Sequence, residues 1–156
     1  MKFEELRKFL IDANVNGYAS SSTSIQKETD GSSSIRYSSG EWRMHDNYFG
    51  GEPFGGREIV FYKDRPYWIM AYYGKVFQGF DRKIVYQFLK DALLSMPLEA
   101  PYRGDKHFSR DDFEYFNEYT GGIEDFRGKE MIVVKGMRCY EAHYLGGLID
   151  KKEQDI

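Results

Sequence analysis

The sequence predicts an α+β fold: a curved antiparallel β-sheet with two main helices packed on one face, built from two diverged αβ halves. Three observations lead to this prediction. Two segments have the apolar spacing of amphipathic helices, several others have the alternation of strands, and one hairpin sequence occurs twice. The two copies, 54–74 and 126–146, align without a gap at an offset of 72 residues (126 − 54). Because both copies predict a hairpin, we expect the two halves to be similar.

The first half begins with a helix. Apolar residues recur at helical spacing over 3–13, namely Phe3, Leu6, Phe9, Leu10 and Ala13. Beyond Tyr18 the chain becomes rich in Ser and Thr, and Asp30-Gly31 predicts the tight turn of a solvent-exposed hairpin. The helix is therefore expected to lead into extended chain.

The rest of the first half predicts strands. Trp42 and Met44 alternate with charged residues, which is the pattern of a half-buried strand. The sequence GGEPFGG over 50–56 is expected to form a loop. The first repeated hairpin follows, with strands over 57–62 and 67–73 and a turn at the sequence KDRP.

The second half repeats this order of elements. Asp81 is a suitable N-cap for the second main helix, which we place over 82–95 and which ends before Pro97. A structured loop is expected over 98–112 and a strand over 113–122. The second hairpin closes at Lys135-Gly136, a pair that tolerates positive φ. The predicted sheet has six to eight strands.

Length and composition indicate a single α+β domain over 1–150, followed by a frayed tail over 151–156. The net charge is −3, and without a basic field we expect no nucleic-acid partner. No apolar run approaches the roughly 18 residues that a membrane span requires, so no membrane partner is expected. Cys139 is the single cysteine, and the N-terminus lacks a signal-peptide pattern. These features predict a cytoplasmic protein.

One long string also resembles a known family. The string HDNYFGGEPFGGREIVFYKDRPYW over 45–68, with YYG after it and YEAHYLGGLID near the end, resembles a prokaryotic family, domain-of-unknown-function family 5680. The resemblance extends from about Phe3 to Asp150. Some relatives carry an N-terminal helix-turn-helix, whereas here one short helix precedes the first strand. The family supplies no established activity, so the resemblance implies a sensory or regulatory role and no catalytic residue.

Three chemical alternatives were weighed on the residues. The glycine loop lacks the following helix of a phosphate cradle and carries Glu52, so a strand-to-strand crossover explains it better. Glu58 and Glu130 occupy equivalent repeat positions, and a pair of carboxylates could bind a metal or act in acid–base catalysis. Hydrogen-bonded structural glutamates are the competing interpretation. His45, Asp46, Glu141 and His143 could in principle form a separate metal site, but they lack the short spacing of zinc ligands.

The aromatic residues form the best candidate surface. They amount to 17% of the chain, and Tyr keeps a polar tip when its ring is buried. They either line a ligand-binding concave face or form the core itself. We therefore predict a non-enzymatic small-ligand-binding or regulatory module, without metal or cofactor. A small enzyme with a carboxylate general base and a homodimerising structural protein are the alternatives. The expected ligand-binding residues are Asp46, Asn47, Tyr48, Glu52, Arg57, Glu58, Tyr72 and Glu130.

Overall fold

The computed structural model describes residues 2–18 and 24–152. Most of the predicted frayed tail (153–156) and part of the predicted N-terminal extended segment (19–23) therefore lie outside the described residues. The elements, in chain order, are α1 (Phe3–Ala13), a π-helical turn (Asn14–Tyr18), β1 (Gln26–Lys27), β2 (Ser33–Ser39), β3 (Trp42–Phe49), β4 (Phe54–Tyr62), β5 (Arg65–Val76), α2 (Arg82–Leu93), β6 (His107–Arg110), β7 (Phe113–Gly122), β8 (Asp125–Val134) and β9 (Met137–Leu148).

Within this described part of the chain, nine strands form one open antiparallel sheet in the order β1-β2-β3-β4-β5-β9-β8-β7-β6. The prediction of an antiparallel sheet with two helices is confirmed, while the expected number of strands was too low. β1 and β6 were missed because they are only two and four residues long. Such short segments carry too few residues to show a period of two.

Strands β5 and β9 join the two meanders at the centre of the sheet. Tyr72 lies directly opposite Tyr144 in this antiparallel pair. The flanking hairpins have the same register, because Phe54 pairs with Gly74 in one and Phe126 with Gly146 in the other. A register shift follows Val60 in β4 and also follows Ile132 in β8. The equal offset of 72 residues in the sequence is thus matched by equal strand pairing.

The tight turns of the two hairpins follow the sequence. Lys63 and Asp64 close the first hairpin with φ of 50° and 62°, and Lys135 and Gly136 close the second with φ of 50° and 77°. Two consecutive positive φ values are typical of type I′ turns, whose twist matches that of the flanking strands. The predicted turn at Lys135-Gly136 is confirmed.

The glycine loop is shorter than predicted. β4 already begins at Phe54, so Gly55 and Gly56 belong to a strand and not to the loop. At Gly56 a Cβ atom would lie 2.4 Å from the backbone oxygen of Asn47 and 2.6 Å from Cβ of Tyr48. Glycine is required there because the neighbouring strand approaches closely, which a turn pattern in the sequence does not reveal.

Both helices bury the predicted faces. In α1 the buried residues are Leu6, Phe9, Leu10 and Ala13, and they pack in one cluster with strand residues such as Trp42 and Trp68. In α2 the buried residues are Val85, Phe88, Leu89 and Ala92, and they pack in a second cluster with Tyr115 and Tyr140. Among the described residues, neither helix has the length and apolar character that crossing a membrane requires.

Candidate functional site

Strand alternation divides the predicted site residues between the two faces of the sheet. One face, called here the core face, carries the predicted residues Asp46, Tyr48, Glu58, Tyr72 and Glu130. The opposite face, called here the Arg57 face, carries Asn47 and Arg57, which lie opposite each other on β3 and β4. Glu52 lies in the loop before β4. The structure therefore does not bring the eight residues together at one site.

Asp46 and Tyr72 form a buried pair near the middle of the core face. The Tyr72 hydroxyl donates to Oδ1 of Asp46 at 2.6 Å, and Asp46 is 2% exposed. Burial and the negative charge of Asp46 raise the pKa of Tyr72 well above its usual range. Tyr72 is thus a hydrogen-bond donor and not a proton-releasing group. Asp46 lies within β3, and not at a strand end as its sequence position beside the loop suggested.

Glu130 is completely enclosed, with 0% exposure, and has charged and polar partners. The Arg103 guanidinium donates to both carboxylate oxygens, with Nε at 3.1 Å from each and Nη2 at 2.5 Å from Oε1. The hydroxyls of Tyr115 and Tyr140 donate to the same carboxylate at 2.6 and 2.8 Å. Burial and the adjacent Glu130 charge raise the pKa of both tyrosines. Every lone-pair direction of Glu130 therefore faces a donor.

Asn117 links this network to the centre of the sheet and to the loop before β6. Its Oδ1 accepts from the Tyr144 hydroxyl at 2.5 Å, and its Nδ2 donates to the Gly104 carbonyl at 2.9 Å. The Tyr144 ring lies over Gly128, where a Cβ would approach the ring carbon Cζ to 2.2 Å. The repeated glycine at this position consequently makes room for a tyrosine.

Glu58 and Glu130 do not form a carboxylate pair. Glu58 lies on β4 and Glu130 on β8, with β5 and β9 between them. Three strand spacings of about 4.8 Å separate the two strands by roughly 14 Å. Glu58 is 6% exposed. The paired-carboxylate hypothesis is wrong on this geometry.

Glu52 joins the glycine loop to other elements. Its Oε1 accepts from the backbone N–H of Val76 at 2.7 Å, and its Oε2 accepts from the Tyr86 hydroxyl on α2. Burial and the hydrogen bond to Glu52 raise the pKa of Tyr86. The side chain holds the loop against β5 and α2, which is a positioning role.

The Arg57 face carries a polar cluster on β2, β3 and β4. Asn47 Nδ2 donates to Oγ of Ser32 at 2.8 Å and to Oγ of Ser34 at 3.1 Å. Ser34 Oγ also lies 3.0 Å from Nε2 of His45. Arg57 adjoins this cluster, and its Nη1 is buried without a hydrogen-bond acceptor among the described residues. Within the described part of the chain, the cluster thus contains one cationic donor atom without an acceptor.

Exposed apolar side chains surround the polar cluster. Tyr73 is 56% exposed and Leu145 is 62% exposed, on the central strands β5 and β9. Both lie on the Arg57 face, since Ala71 pairs with Arg57 on one side and with Leu145 on the other. Large apolar groups at the centre of a sheet face are typical of interaction surfaces.

The remaining candidates from the sequence are the possible metal ligands and the Cys139 thiol. In the described part of the chain, no group of three or more His, Cys, Asp and Glu side chains could hold a metal ion. His143 Nε2 lies 2.7 Å from Oε1 of Glu141, and both are on the face opposite Asp46. Burial raises the pKa of the Cys139 thiol to about 11, so the thiol is protonated near neutral pH.

A shallow depression of about 340 Å³ lies beside α2. It is lined by Lys83, Ile84, Gln87, Phe88, Arg110, Asp111 and Phe113. Arg110 is already paired, because its Nη2 lies 2.6 Å from Oδ2 of Asp91. None of the predicted ligand-binding residues lines this depression.

Sequence reasoning missed the partners that enclose the core-face groups. Arg103 stands in a segment predicted as a loop, and no pattern links it to Glu130, which is 27 residues away. Asn117 lies within an alternating strand pattern that gives no sign of its two hydrogen bonds. For the Arg57 face one signal was present, because the repeat alignment places Ile69 opposite Glu141.

Comparisons with known proteins agree with the resemblance in the sequence. A family model described as Domain of unknown function (DUF5680) matches residues 46–149, which is more than half of the chain. Neither the curated proteins nor the solved structures contain a match to the chain.

Proposed function

The chain belongs to the family described as Domain of unknown function (DUF5680), and we propose that it is a non-enzymatic binding module that engages its ligand through the Arg57 face. The main support for this proposal is the contrast between the two faces of the sheet. Asp46 and Glu130 on the core face are buried with protein partners, whereas the Arg57 face exposes large apolar side chains beside one guanidinium nitrogen, Nη1 of Arg57, that has no acceptor among the described residues.

A small enzyme using a carboxylate general base receives less support. A general base must reach the substrate proton and have a lone pair available. Glu130 is fully enclosed and accepts from Arg103 and two tyrosine hydroxyls. Asp46 is also buried and accepts from Tyr72. These contacts favour a structural role for both carboxylates.

We further infer that α1 and α2 cover the same face, the core face, which leaves the Arg57 face for a ligand. The cluster around α1 contains Met44 and Trp68, and the cluster around α2 contains Ile132 and Tyr140. Strand alternation puts these four sheet residues on the side of Asp46 and Glu130. The helix contacts thus support an uncovered Arg57 face.

The inferred two halves have a consequence for function. The equal register of the β4–β5 and β8–β9 hairpins supports an origin from two similar αβ units. The pairing of Tyr72 with Tyr144 supports a local twofold axis through the centre of the sheet. Differences between equivalent positions then mark where one half has acquired its own role.

A homodimer is the second candidate, and the exposure of Tyr73 and Leu145 favours it. Burying both side chains against a second copy would remove apolar surface from water. Sedimentation at several concentrations decides between the two: a stable mass of twice 18.3 kDa supports the dimer, and a monomer supports the binding module.

The binding module can be tested with two neighbouring tyrosines that point to opposite faces. ¹⁵N-labelled protein is titrated with a general fragment library, and each hit is repeated on Tyr73→Ser and Tyr72→Phe. We expect fragments to lose affinity in Tyr73→Ser, because that ring is exposed on the Arg57 face, and to keep it in Tyr72→Phe. The opposite result, or no binding by any fragment, contradicts the proposal.

A further inference from the structure

The unmet donor on Arg57 is unusual for a folded protein. Nη1 of this side chain is buried and has no acceptor among the described residues. Buried polar groups are nearly always hydrogen-bonded, and an unsatisfied charged donor is costly. An acceptor from outside the described chain would remove this cost. A guanidinium group binds two oxygens of one carboxylate or phosphate especially well.

Two further arginines, Arg36 and Arg43, lie near His45 on the Arg57 face. Burial, and then the charges of Arg36, Arg57 and Arg43, lower the pKa of His45, while Glu28 acts in the opposite direction. Arg36 is already held by Glu28 at 3.1 Å. Arg43 lies 3.5 Å from Asp64 and stacks over the Phe61 ring. Of these three arginines, Arg57 is the one with a buried donor lacking an acceptor.

At the equivalent position in the other hairpin, a lysine has a carboxylate nearby that Arg57 does not have in its own hairpin. Lys129 corresponds to Arg57 at the offset of 72 residues, and its Nζ lies 3.7 Å from Oε1 of Glu141. The position that corresponds to Glu141 is Ile69. One hairpin therefore contains its own carboxylate, and the other has an aliphatic side chain in the same place.

The neighbours of Arg57 leave space and supply hydrogen-bonding groups. Across the strands it lies between Asn47 and Ala71, and along its own strand it follows Gly55 by two residues. Ala71 is exposed and has only a methyl side chain, so it leaves room above the sheet, whereas the Tyr73 ring lies over Gly55, where a Cβ would approach its Cδ2 atom to 3.3 Å. Tyr73, 56% exposed, provides a ring beside this space.

We propose that Arg57 is the anchor of a binding site for a small oxyanion, a carboxylate or a phosphate monoester, with Asn47 and His45 beside it and Tyr73 as an adjacent aromatic contact. The ligand supplies the negative charge that Glu141 supplies to Lys129. This inference rests on the proposed function of the Arg57 face and names the chemical class of its ligand.

The test uses inorganic phosphate, phenyl phosphate and benzoate as probes, at constant ionic strength, with binding followed by amide chemical shifts of the full chain. We expect saturable shifts around Arg57 for the wild type. Arg57→Gln is expected to weaken binding at least about tenfold, because it removes a charge-assisted hydrogen bond. Lys129→Gln, at the equivalent position whose charge is already paired, should bind as the wild type does.

A second pair of variants keeps the test independent of any folding defect in Arg57→Gln. Ile69→Glu introduces a carboxylate at the position equivalent to Glu141, and we expect it to pair with Arg57 and to exclude the probes. Ile69→Gln has nearly the same shape without the charge and should retain binding. Loss of binding in both Ile69 variants, or unchanged binding in Ile69→Glu, overturns the inference.

The same experiments distinguish a phosphate ligand from a carboxylate ligand. They also distinguish failure of the oxyanion site from failure of the proposed binding function. Tighter binding of phenyl phosphate assigns a phosphate ligand, and tighter binding of benzoate assigns a carboxylate; either supports the site. Shifts that persist in Arg57→Gln, or wild-type shifts that do not saturate, overturn the oxyanion site. If uncharged fragments still bind in a Tyr73-dependent manner, the binding function of the face stands without an anion site.

Discussion

At the residue scale, Glu130 shows how the fold encloses a buried carboxylate. Glu130 has a guanidinium partner and two tyrosine hydroxyls, and it is enclosed by strands β7–β9 and the loop that carries Arg103. Removing one member of a buried ion pair leaves the other charge buried alone. Glu130 is therefore expected to contribute more to the free energy of unfolding than an exposed carboxylate does.

We predict that Glu130→Gln lowers the free energy of unfolding by about 3–5 kcal/mol, because Arg103 loses its counter-charge while remaining buried. The measurement is urea denaturation followed by tryptophan fluorescence. Glu114→Gln on β7 is the control: its side chain is 52% exposed and it should change stability by less than about 0.5 kcal/mol. Equal effects of the two substitutions would contradict a structural role for Glu130.

At the element scale, local sequence patterns predicted the helices well and the strand ends less well. α1 has the predicted bounds of Phe3–Ala13, and the N-cap of α2 is the predicted Asp81. The start of β4 was misplaced because Gly55 and Gly56 resemble loop residues in the sequence. Their strand position depends on the neighbouring strand β3, which packs too closely for a side chain at Gly56. A helix end is determined by residues nearby in the sequence, whereas this strand end depends on packing against an adjacent strand.

The cap of α2 gives the prediction at this scale. Asp81 Oδ1 accepts from the backbone N–H groups of Lys83 at 2.9 Å and Ile84 at 3.2 Å. Asp81→Ala leaves these donors without that acceptor and should lower the free energy of unfolding by about 1 kcal/mol. Asp81→Asn keeps an acceptor and should cost clearly less. The measurement is thermal and urea unfolding by circular dichroism; an alanine variant as stable as the wild type would refute the capping contribution.

At the scale of the whole molecule, the central β5–β9 pair is the link between the two meanders. Trp68 on β5 also donates from Nε1 to the Ile123 carbonyl, 55 residues away, at 3.0 Å. Because the sheet continues across this seam, neither meander has a core that is independent of the other. We propose that residues 1–150 unfold as one domain.

The single-domain proposal predicts coincident unfolding. Trp68 reports on the seam through fluorescence, and circular dichroism reports on both meanders. We expect one urea transition with the same midpoint for both signals, as in a two-state protein of this size. Leu145→Pro should lower both midpoints together, since it places a proline in the central strand β9. Two separate transitions would indicate two independently folding units.

The candidate site could be predicted only in part. Asn47 and Arg57 were predicted as rim residues of an aromatic-lined concave face, and the structure adds His45 and Ser34 to their cluster. Asp46 was predicted at the same rim and Glu130 as the repeat equivalent of Glu58, but both carboxylates have partners in the core. Sequence shows that a residue is ionisable, and it does not show which residues distant along the chain surround it.

The sequence by itself determined the α+β class, the two helices, the repeated hairpins and their turns, because these depend on periodicity and on backbone preferences over a few residues. It also revealed that Ile69 stands where the other copy has Glu141. The tertiary structure alone decided that β5 pairs with β9, that Glu58 and Glu130 are far apart, and that Nη1 of Arg57 has no acceptor among the described residues. These outcomes depend on contacts between distant residues, which only the packed sheet establishes.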